Sequence, residues 1–545
     1  MSFKDKVIYQ IYLKSFRDSN NDGFGDLGGV IEKLDYLEEL GVDYLWLTPF
    51  FVSPQQDNGY DVADYLKIDP LFGTMEDLEA LIQKANRRGM GIMLDMVFNH
   101  TSTAHSWFQK ALRGEQKYLD YYIFKEGHET RLPTNWESKF GGPAWKYVPH
   151  LKKWYLHLFN ETQADLNWEN PDVREELKNI IRFWKQKGIQ GFRFDVVNLI
   201  SKPELFSDDY DGDGRRFYTD GVHVHDFLKE LVRDTGIAEM VTVGEMSSTT
   251  LENCVRYSNP DEKELSMCFN FHHLKVDYKN GDKWELAAPD IPALKQLFIE
   301  WQTGMQKHHG WNALFWCNHD QPRAVSRFGD DQKYWQESAK MLAASIHLLQ
   351  GTPYIYQGEE IGMTNAGYSD IRQYRDVESR NYFDIMKGRG KSETQALAIL
   401  AARSRDNGRT PMQWSAKAYA GFSECEPWIS LPGNYWQINA ESQRKDPDSI
   451  LSYYKQLILL RKKKPVIADG RIEFINQSHP DVLAYRRYNK EEELIVFNNF
   501  KGKEIKLAAD LANWNFVIGN YPVQEPICNE LKLRPYESVV YSKSL

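Results

Sequence analysis

The sequence predicts an α/β fold: a (β/α)8 TIM barrel with a small inserted domain after strand 3 and a C-terminal all-β sandwich domain. Three observations predict it. Eight short apolar runs recur between Val7 and Gly358, with helical patterns between them. Parallel strands need such long crossovers, and eight units are the number that closes a barrel. No glycine-rich phosphate turn follows the first run, which argues against an open, doubly wound sheet.

The elements follow in order. VIYQIY (7–12) is the first strand, and GVIEKLDYLEELG (29–41) a helix after it. YLWLTPF (44–50) is the second strand, LEALIQKANRRG (78–89) a helix, and GIMLDMVFNH (91–100) the third strand. GFRFDVV (191–197), MVTVGEM (240–246), SMCFNF (266–271), NALFWCN (312–318) and PYIYQG (353–358) complete the eight. The interval 101–190 is too long for one crossover and holds aromatic, glycine-rich stretches such as PTNWESKFGGPAWKY. It reads as an inserted domain over 102–170, which leaves the barrel at 1–101 and 171–466. From 467 to 545 the period changes to short alternating strands (VLAYRRY, ELIVFNN, FVIGNY, ESVVYS), the pattern of an antiparallel domain.

Composition narrows the function. A net charge of −10 with no basic tail excludes nucleic acid and acidic membrane surfaces as expected partners. The N-terminus has no signal pattern, and no apolar run is long enough to span a bilayer. Cys254, Cys268, Cys317, Cys425 and Cys528 lie far apart, without metal spacing, so free thiols in the cytoplasm are expected.

Polar residues break into the apolar runs at their ends. Arg193 and Asp195 stand two apart, on one face of a strand. Glu245 ends VTVGE, and His319 and Asp320 end FWCNHD; Asp95, Asn99 and His100 end the third strand. Three carboxylates at one barrel mouth repel one another and are costly to desolvate, so their presence points to chemistry. Paired carboxylates are the apparatus of glycoside hydrolysis, one as acid and one as nucleophile. Arg193 is expected to lower the pKa of Asp195 and fix its rotamer. The apolar VTVG run is expected to raise that of Glu245.

GFRFDVVN, GEM, FWCNHD, DMVFNH, QADLNW and GTPYIYQGEE resemble the signature blocks of the α-amylase family of glycoside hydrolases. The resemblance implies a retaining mechanism with Asp195 as nucleophile, Glu245 as acid/base and Asp320 as transition-state stabiliser. It implies glucose-binding roles for His100, Arg193 and His319, and, more loosely, pocket roles for Asp57, Tyr60, Phe159, Gln163 and Arg405. QADLNW is similar to the oligo-1,6-glucosidase branch, although Ala164 stands where most of that branch has proline. DSNNDGFGD (18–26) places oxygens at Asp18, Asn20, Asp22, the Phe24 carbonyl and Asp26, an alternation that suits a hard cation. The branch carries a calcium-type site on this loop, so a structural Ca2+ (or Mg2+) is expected there, and no cofactor for the chemistry.

FNFHHLKVDYKNGDKW (269–284) concentrates positive charge after the sixth strand. Related α-1,6-glucosidases are acidic where His272 and Lys275 stand, and Lys283 follows. Basic residues beside a neutral-sugar site point to an anionic substituent on the leaving sugar. FNFHHLKVDY, VGEMSS, DGDGRRFYTDG and SRDNGRTPMQW resemble family members that split a small phosphorylated disaccharide, α,α-trehalose 6-phosphate. His272, Lys275 and Lys283 are thus expected at the phosphate, with Lys283 and His272 favoured, Lys275 turned away by strand alternation, and Arg215 and Arg216 in reserve. The rival expectations are an oligo-1,6-glucosidase or dextran glucosidase, a glucosyl-transferring isomerase, and a non-catalytic binding partner of membrane transporters with a similar barrel.

Overall fold

The computed structural model describes residues 3–522 and 530–545. Eight strands run parallel in one sheet: β1 (Ile8–Ile11), β2 (Tyr44–Leu47), β3 (Gly91–Met96), β4 (Gly191–Phe194), β5 (Val241–Glu245), β6 (Met267–Phe269), β7 (Ala313–Leu314) and β8 (Thr352–Tyr356). Their order is β6-β5-β4-β3-β2-β1-β8-β7, and a parallel bridge between Cys268 and Asn312 joins the two ends. The sheet is therefore a closed barrel. Nearly every strand residue is buried, as expected where side chains fill the barrel on one face and meet helices on the other.

Helices cross between successive strands, and local chemistry starts them. Thr74 and Asp77 form a capping box at Met75–Arg87, and Asn170 caps Pro171–Gln186 with proline in its first turn. The helix expected over 29–41 is two, Leu27–Glu32 and Leu34–Leu40, which meet at the non-helical Lys33. Asp26 starts the first by accepting from the Gly29 N–H at 2.6 Å.

Between β3 and β4 lies a three-stranded antiparallel sheet of Phe124–Glu126, Lys153–Leu156 and Trp145–Val148. Both flanks of this insertion are tied together at the barrel mouth, where His100–Ser102 pairs antiparallel with Gln163–Asp165. Its core of Trp136, Trp145 and Trp154 is shared with Val196, Leu199 and Tyr218 from the loops after β4. The insertion thereby brings side chains to the strand ends.

Residues 359–449 read from sequence only as more barrel. They instead form an excursion with helices Val377–Gly388 and Glu393–Arg403 and a separate core that includes Tyr374, Phe383 and Leu400. Helix Ile450–Lys463 then returns to the barrel, and its buried Arg461 donates to carbonyl oxygens of His347 and Gly351.

The C-terminal region is an antiparallel five-stranded sheet, Arg471–Ile475, Val482–Tyr488, Glu492–Asn499, Ser538–Ser544 and Asn515–Gly519. Alternation sorts its faces. Leu483, Tyr485, Leu494, Val496 and Val540 join the barrel's core, whereas Val482, Ala484, Ile495, Phe497 and Val539 pack on Ile505, Leu507 and Leu533. The latter three belong to a second, two-stranded sheet, which completes the sandwich.

Cys254, Cys268, Cys317 and Cys425 are free thiols, and Cys528 lies outside the described residues. Among the described residues no helix is long and apolar enough to cross a membrane.

Candidate active site

The C-terminal strand ends open into a cavity of about 250 Å³. Behind the cavity wall, buried beneath Asp195 and Glu245, lies Arg193. On β4 it stands in direct register with Asp95 on β3, and both are buried. Its Nη1 donates to Asp95 Oδ1 and to Asp195 Oδ1, each at 2.6 Å, and its Nη2 pairs with Glu245 Oε2. One cation thus holds carboxylates from three adjacent strands. The register explains why. Arg193 pairs with Val243 on β5, so Asp195 and Glu245, each two residues further on, stand level with one another.

Asp95 also accepts from the Trp46 indole at 3.1 Å and the Tyr60 hydroxyl at 2.9 Å. Burial and the neighbouring Asp195 push its pKa up to about 7 against the pull of Arg193. Burial alone would pull the Arg193 pKa down, but Asp95 and Asp195 outweigh it and the guanidinium stays charged. Glu245 follows an apolar run, and its carboxylate also meets the Arg193 guanidinium from the neighbouring strand β4.

Directly after Asp195 the chain turns through Val196 at φ 35°, ψ 39°. This left-handed conformation is strained for a β-branched residue, at a cost of order 1–3 kcal/mol. It ends β4 abruptly and leaves Asp195 at the cavity wall.

A second group of charges faces the first. Asp320 accepts from Arg409 Nη2 at 2.7 Å and Arg405 Nη1 at 3.3 Å. Burial would raise its pKa, but His319, Arg405 and Arg409 together hold it well below the usual carboxylate range. Arg405 also reaches Asp57 at 3.0 Å and Asp376 at 2.6 Å. Burial pushes the Asp57 carboxyl up to about 7, opposed by Arg405 and Arg409.

The remaining expected sugar-site residues gather here too. Gln163 Nε2 lies 3.1 Å from both Asp57 Oδ2 and His100 Nε2, and the His100 ring sits 5.2 Å from that of Phe159. Tyr60 stacks on His319 at 5.0 Å with the rings parallel to within 1°. Gln10 approaches His319 Nδ1 at 2.8 Å, which leaves the opposite ring nitrogen to carry the proton of the neutral ring. That Nε2 is buried and lies 3.1 Å from Asp320 Oδ2. Burial lowers the pKa of both His100 and His319, so both rings are neutral donors or acceptors suited to hydroxyl groups.

The basic loop is only partly as expected. Lys275 and Lys283 line the cavity; His272 does not. Its Nε2 lies 2.8 Å from the Thr249 carbonyl, and its ring stacks on Trp301 at 5.0 Å. The alternation argument fails because His272–Lys275 is a 3-10 turn, not extended chain. Lys283 donates to Glu378 at 2.6 Å, whereas Lys275 has no ion-pair partner among the described residues. The reserve arginines are neutralised outside the cavity, Arg215 by Asp213 and Arg216 by Asp209 and Asp211.

Sequence reasoning named Asp95 at its strand end without giving it a role, and quoted the stretches that hold Arg409 and Lys139 without singling either out. Asp376 and Glu378 had no signal, because only the fold of the long excursion brings them to the mouth; Glu378 and Lys139 line the cavity.

The loop at 18–26 shows how its oxygens are used. Asp18 accepts from the N–H groups of Asn20, Asn21 and Gly23, and from the Ser423 hydroxyl. Asp26 is spent on Ser19 and the helix cap at Gly29. Gly23, at φ +91°, is needed because a Cβ there would come within 2.7 Å of the Glu426 carbonyl. Among the described residues no group of three or more His, Cys, Asp or Glu side chains is gathered to hold a metal ion. The hard-oxygen donors Asp18, Asn20, Asp22 and the Phe24 carbonyl suit Ca2+ or Mg2+ in kind; Asp26 serves the turn.

A closed barrel with carboxylates on adjacent strand ends, and a second anion opposite them, defines a glycosidase-type site. Residues 10–470 match the family of the alpha-amylase catalytic domain. The chain is 54% identical to a trehalose-6-phosphate hydrolase of Escherichia coli (strain K12), over 98% of each sequence. It is 52% identical to one of Bacillus subtilis (strain 168), over 99% of this chain and 98% of that protein. The crystal structure of a trehalose-6-phosphate hydrolase from Bacillus licheniformis superposes with a TM-score of 0.95 at 51% identity, covering 100% of both chains. The chain belongs to the α-amylase family of glycoside hydrolases.

The arginine clamp on Asp320 gives a prediction. Its folded pKa is depressed, so its contribution to stability is present above the unfolded pKa and lost only as pH falls through the folded one. Arg409→Gln removes one cation and raises that pKa. The acid limb of the kcat/KM profile then moves to higher pH, and stability falls by about 3–5 kcal/mol, as for a broken buried pair. Kinetics across pH, beside thermal denaturation, check both; an unmoved acid limb contradicts the clamp.

Proposed function

We propose that this chain hydrolyses α,α-trehalose 6-phosphate to glucose and glucose 6-phosphate with retention of configuration. The observation that carries the reading is the charge of one cavity, lined both by the carboxylates Asp195, Glu245 and Asp320 and by the unpaired Lys275. The carboxylates suit the cleavage of a neutral glucose ring, and the lysine suits an anionic substituent. The names of the relatives agree with this substrate.

In this reading Asp195 attacks the anomeric carbon while Glu245 gives its proton to the departing glycosidic oxygen. Glucose 6-phosphate leaves, and a covalent glucosyl ester remains on Asp195. Glu245, now a base, takes a proton from water, and the resulting nucleophile displaces Asp195. Both carboxylates contact nitrogens of one planar guanidinium, which supports the short, retaining separation of roughly 5–5.5 Å rather than the wider inverting gap. Asp320, kept ionised, stabilises the oxocarbenium charge. His100, Asp57, Tyr60, Gln163 and Arg405, which line the cavity, hold the glucose hydroxyls together with His319 and Arg193 beneath them, and Phe159 packs on the ring. Lys275 and Lys283 face the phosphate, while His272 acts only by bracing the loop. The chain is read as a cytoplasmic enzyme, on the strength of its free thiols.

Steady-state kinetics on trehalose 6-phosphate, trehalose and isomaltose test this. The phosphorylated disaccharide should be the preferred substrate, and free glucose the product rather than a rearranged disaccharide. Lys275→Ala should lower the preference for the phosphorylated over the plain disaccharide by roughly ten- to a hundred-fold, the worth of one charged contact. Equal losses on both, or isomaltose as the better substrate, contradict the assignment.

A structural Ca2+ (or Mg2+) is proposed on the loop 18–24, held by Asp18, Asn20, Asp22 and the Phe24 carbonyl. Chelation should lower the melting temperature and leave the pH profile of activity in place, since an ion bound only to the folded chain stabilises it. An unchanged melting temperature rejects the site.

A further inference from the structure

We infer that Lys139, carried by the segment inserted between β3 and β4, is a further cation for the substrate's phosphate and makes phosphate recognition weaken as the solution turns alkaline. The inference rests on the proposed function and deepens it.

Lys139 lines the same cavity as Lys275 and Glu245. Its Nζ has one hydrogen bond, to Ser247 Oγ at 3.2 Å, and no ion pair among the described residues. The acids nearest to it are already used. Asp213 is held by Arg215 at 2.5 Å, and Asp165 by Lys202 at 2.8 Å. The groups facing it come from every side: Asp213, Arg215 and Tyr218 from the loops after β4, Ser247 after β5, Lys275 after β6, and Asp165 from the short strand at the mouth. Three cations therefore converge from separate loops, and only Arg215 has its counter-ion. Like charges held together in a cavity are unfavourable until an anion arrives.

A phosphate ester carries about −1.5 to −2 charges at pH 7 and offers three acceptor oxygens. It can accept from Lys139 and Lys275 together. Burial, then Arg215 and Lys275, pull the Lys139 pKa down to about 8, against the smaller pull of Asp213 and Asp165. The sign follows. In the free enzyme the charge is present below that pH and lost above it. Bound phosphate favours the charged form, so affinity falls as pH rises through this range.

The alternative is that Lys139 only braces the Glu245 loop. Ser247 is tied to Asn198 by two hydrogen bonds of 2.9 Å, and Lys139 could serve the same purpose. A brace would affect phosphorylated and plain substrates alike.

The test is the ratio of kcat/KM for trehalose 6-phosphate to that for trehalose, followed across pH in the full-length enzyme. Inhibition by glucose 6-phosphate, relative to glucose, is measured alongside. The wild-type ratio should fall by about ten-fold or more above pH 8, the worth of one charged contact. Lys139→Gln should lower the ratio near neutrality by a similar factor and flatten its fall. Lys139→Arg, which stays charged, should restore the ratio and carry the fall to higher pH. Equal losses on both substrates, or an unchanged ratio and profile in Lys139→Gln, overturn the inference. Lys275→Ala separates the two levels. If it lowers the ratio while Lys139→Gln does not, the phosphate reading stands and the role of Lys139 falls; if neither lowers it, both fall.

Discussion

The site depends on one buried guanidinium. Arg193 has three carboxylates around it, Asp95, Asp195 and Glu245, each delivered by a different strand. Without a cation these anions could not share a desolvated barrel mouth, and without the closed barrel the cation would not be buried. Parallel register does the positioning. Asp95 lies opposite Arg193, and Asp195 and Glu245 rise together one pleat above it. Trp46 and Tyr60 close over the group and hydrogen-bond Asp95. The strained turn at Val196 is tolerated because Asp195 is fixed on both sides of it, by Arg193 through its side chain and by Met96 through its N–H.

Around this centre the cavity is lined by charges of both signs: Asp195, Glu245 and Asp320 from the strand ends, and Lys139, Lys275 and Lys283 from the inserted segment and the loop after β6. Arg405 pairs with Asp57, Asp376 and Asp320, and Glu378 with Lys283. The excursion after β8 supplies Asp376, Glu378 and Arg405, so part of the site is built from segments outside the barrel proper.

Much of this was legible in the sequence, for a physical reason. In a parallel barrel the side chains that meet at the mouth sit at strand ends, and polar residues there interrupt apolar runs. Asp195, Glu245, His319 and Asp320 announce themselves in this way. The contact of Arg193 with Asp195 was legible too, because residues two apart share a strand face. What a single strand does not reveal is what other segments bring to it: Glu245 follows an apolar run, and a cation from β4 stands beside it. His272 looked free to reach substrate, but Thr249 and Trp301, from other loops, hold it away. Lys275 was expected to point away by alternation, which a 3-10 turn does not obey. Lys139 was not singled out and Asp376 carried no signal, since their places depend on how two long insertions fold.

If the Arg193-bound carboxylates work as a close nucleophile and acid/base pair on a phosphorylated disaccharide, the stereochemistry of the first product records it. In a proton NMR time course of trehalose 6-phosphate hydrolysis, recorded before the released sugars mutarotate, glucose should appear first as the α-anomer, in equal amount with glucose 6-phosphate. Glucose appearing first as the β-anomer, or no release of glucose 6-phosphate, contradicts that role.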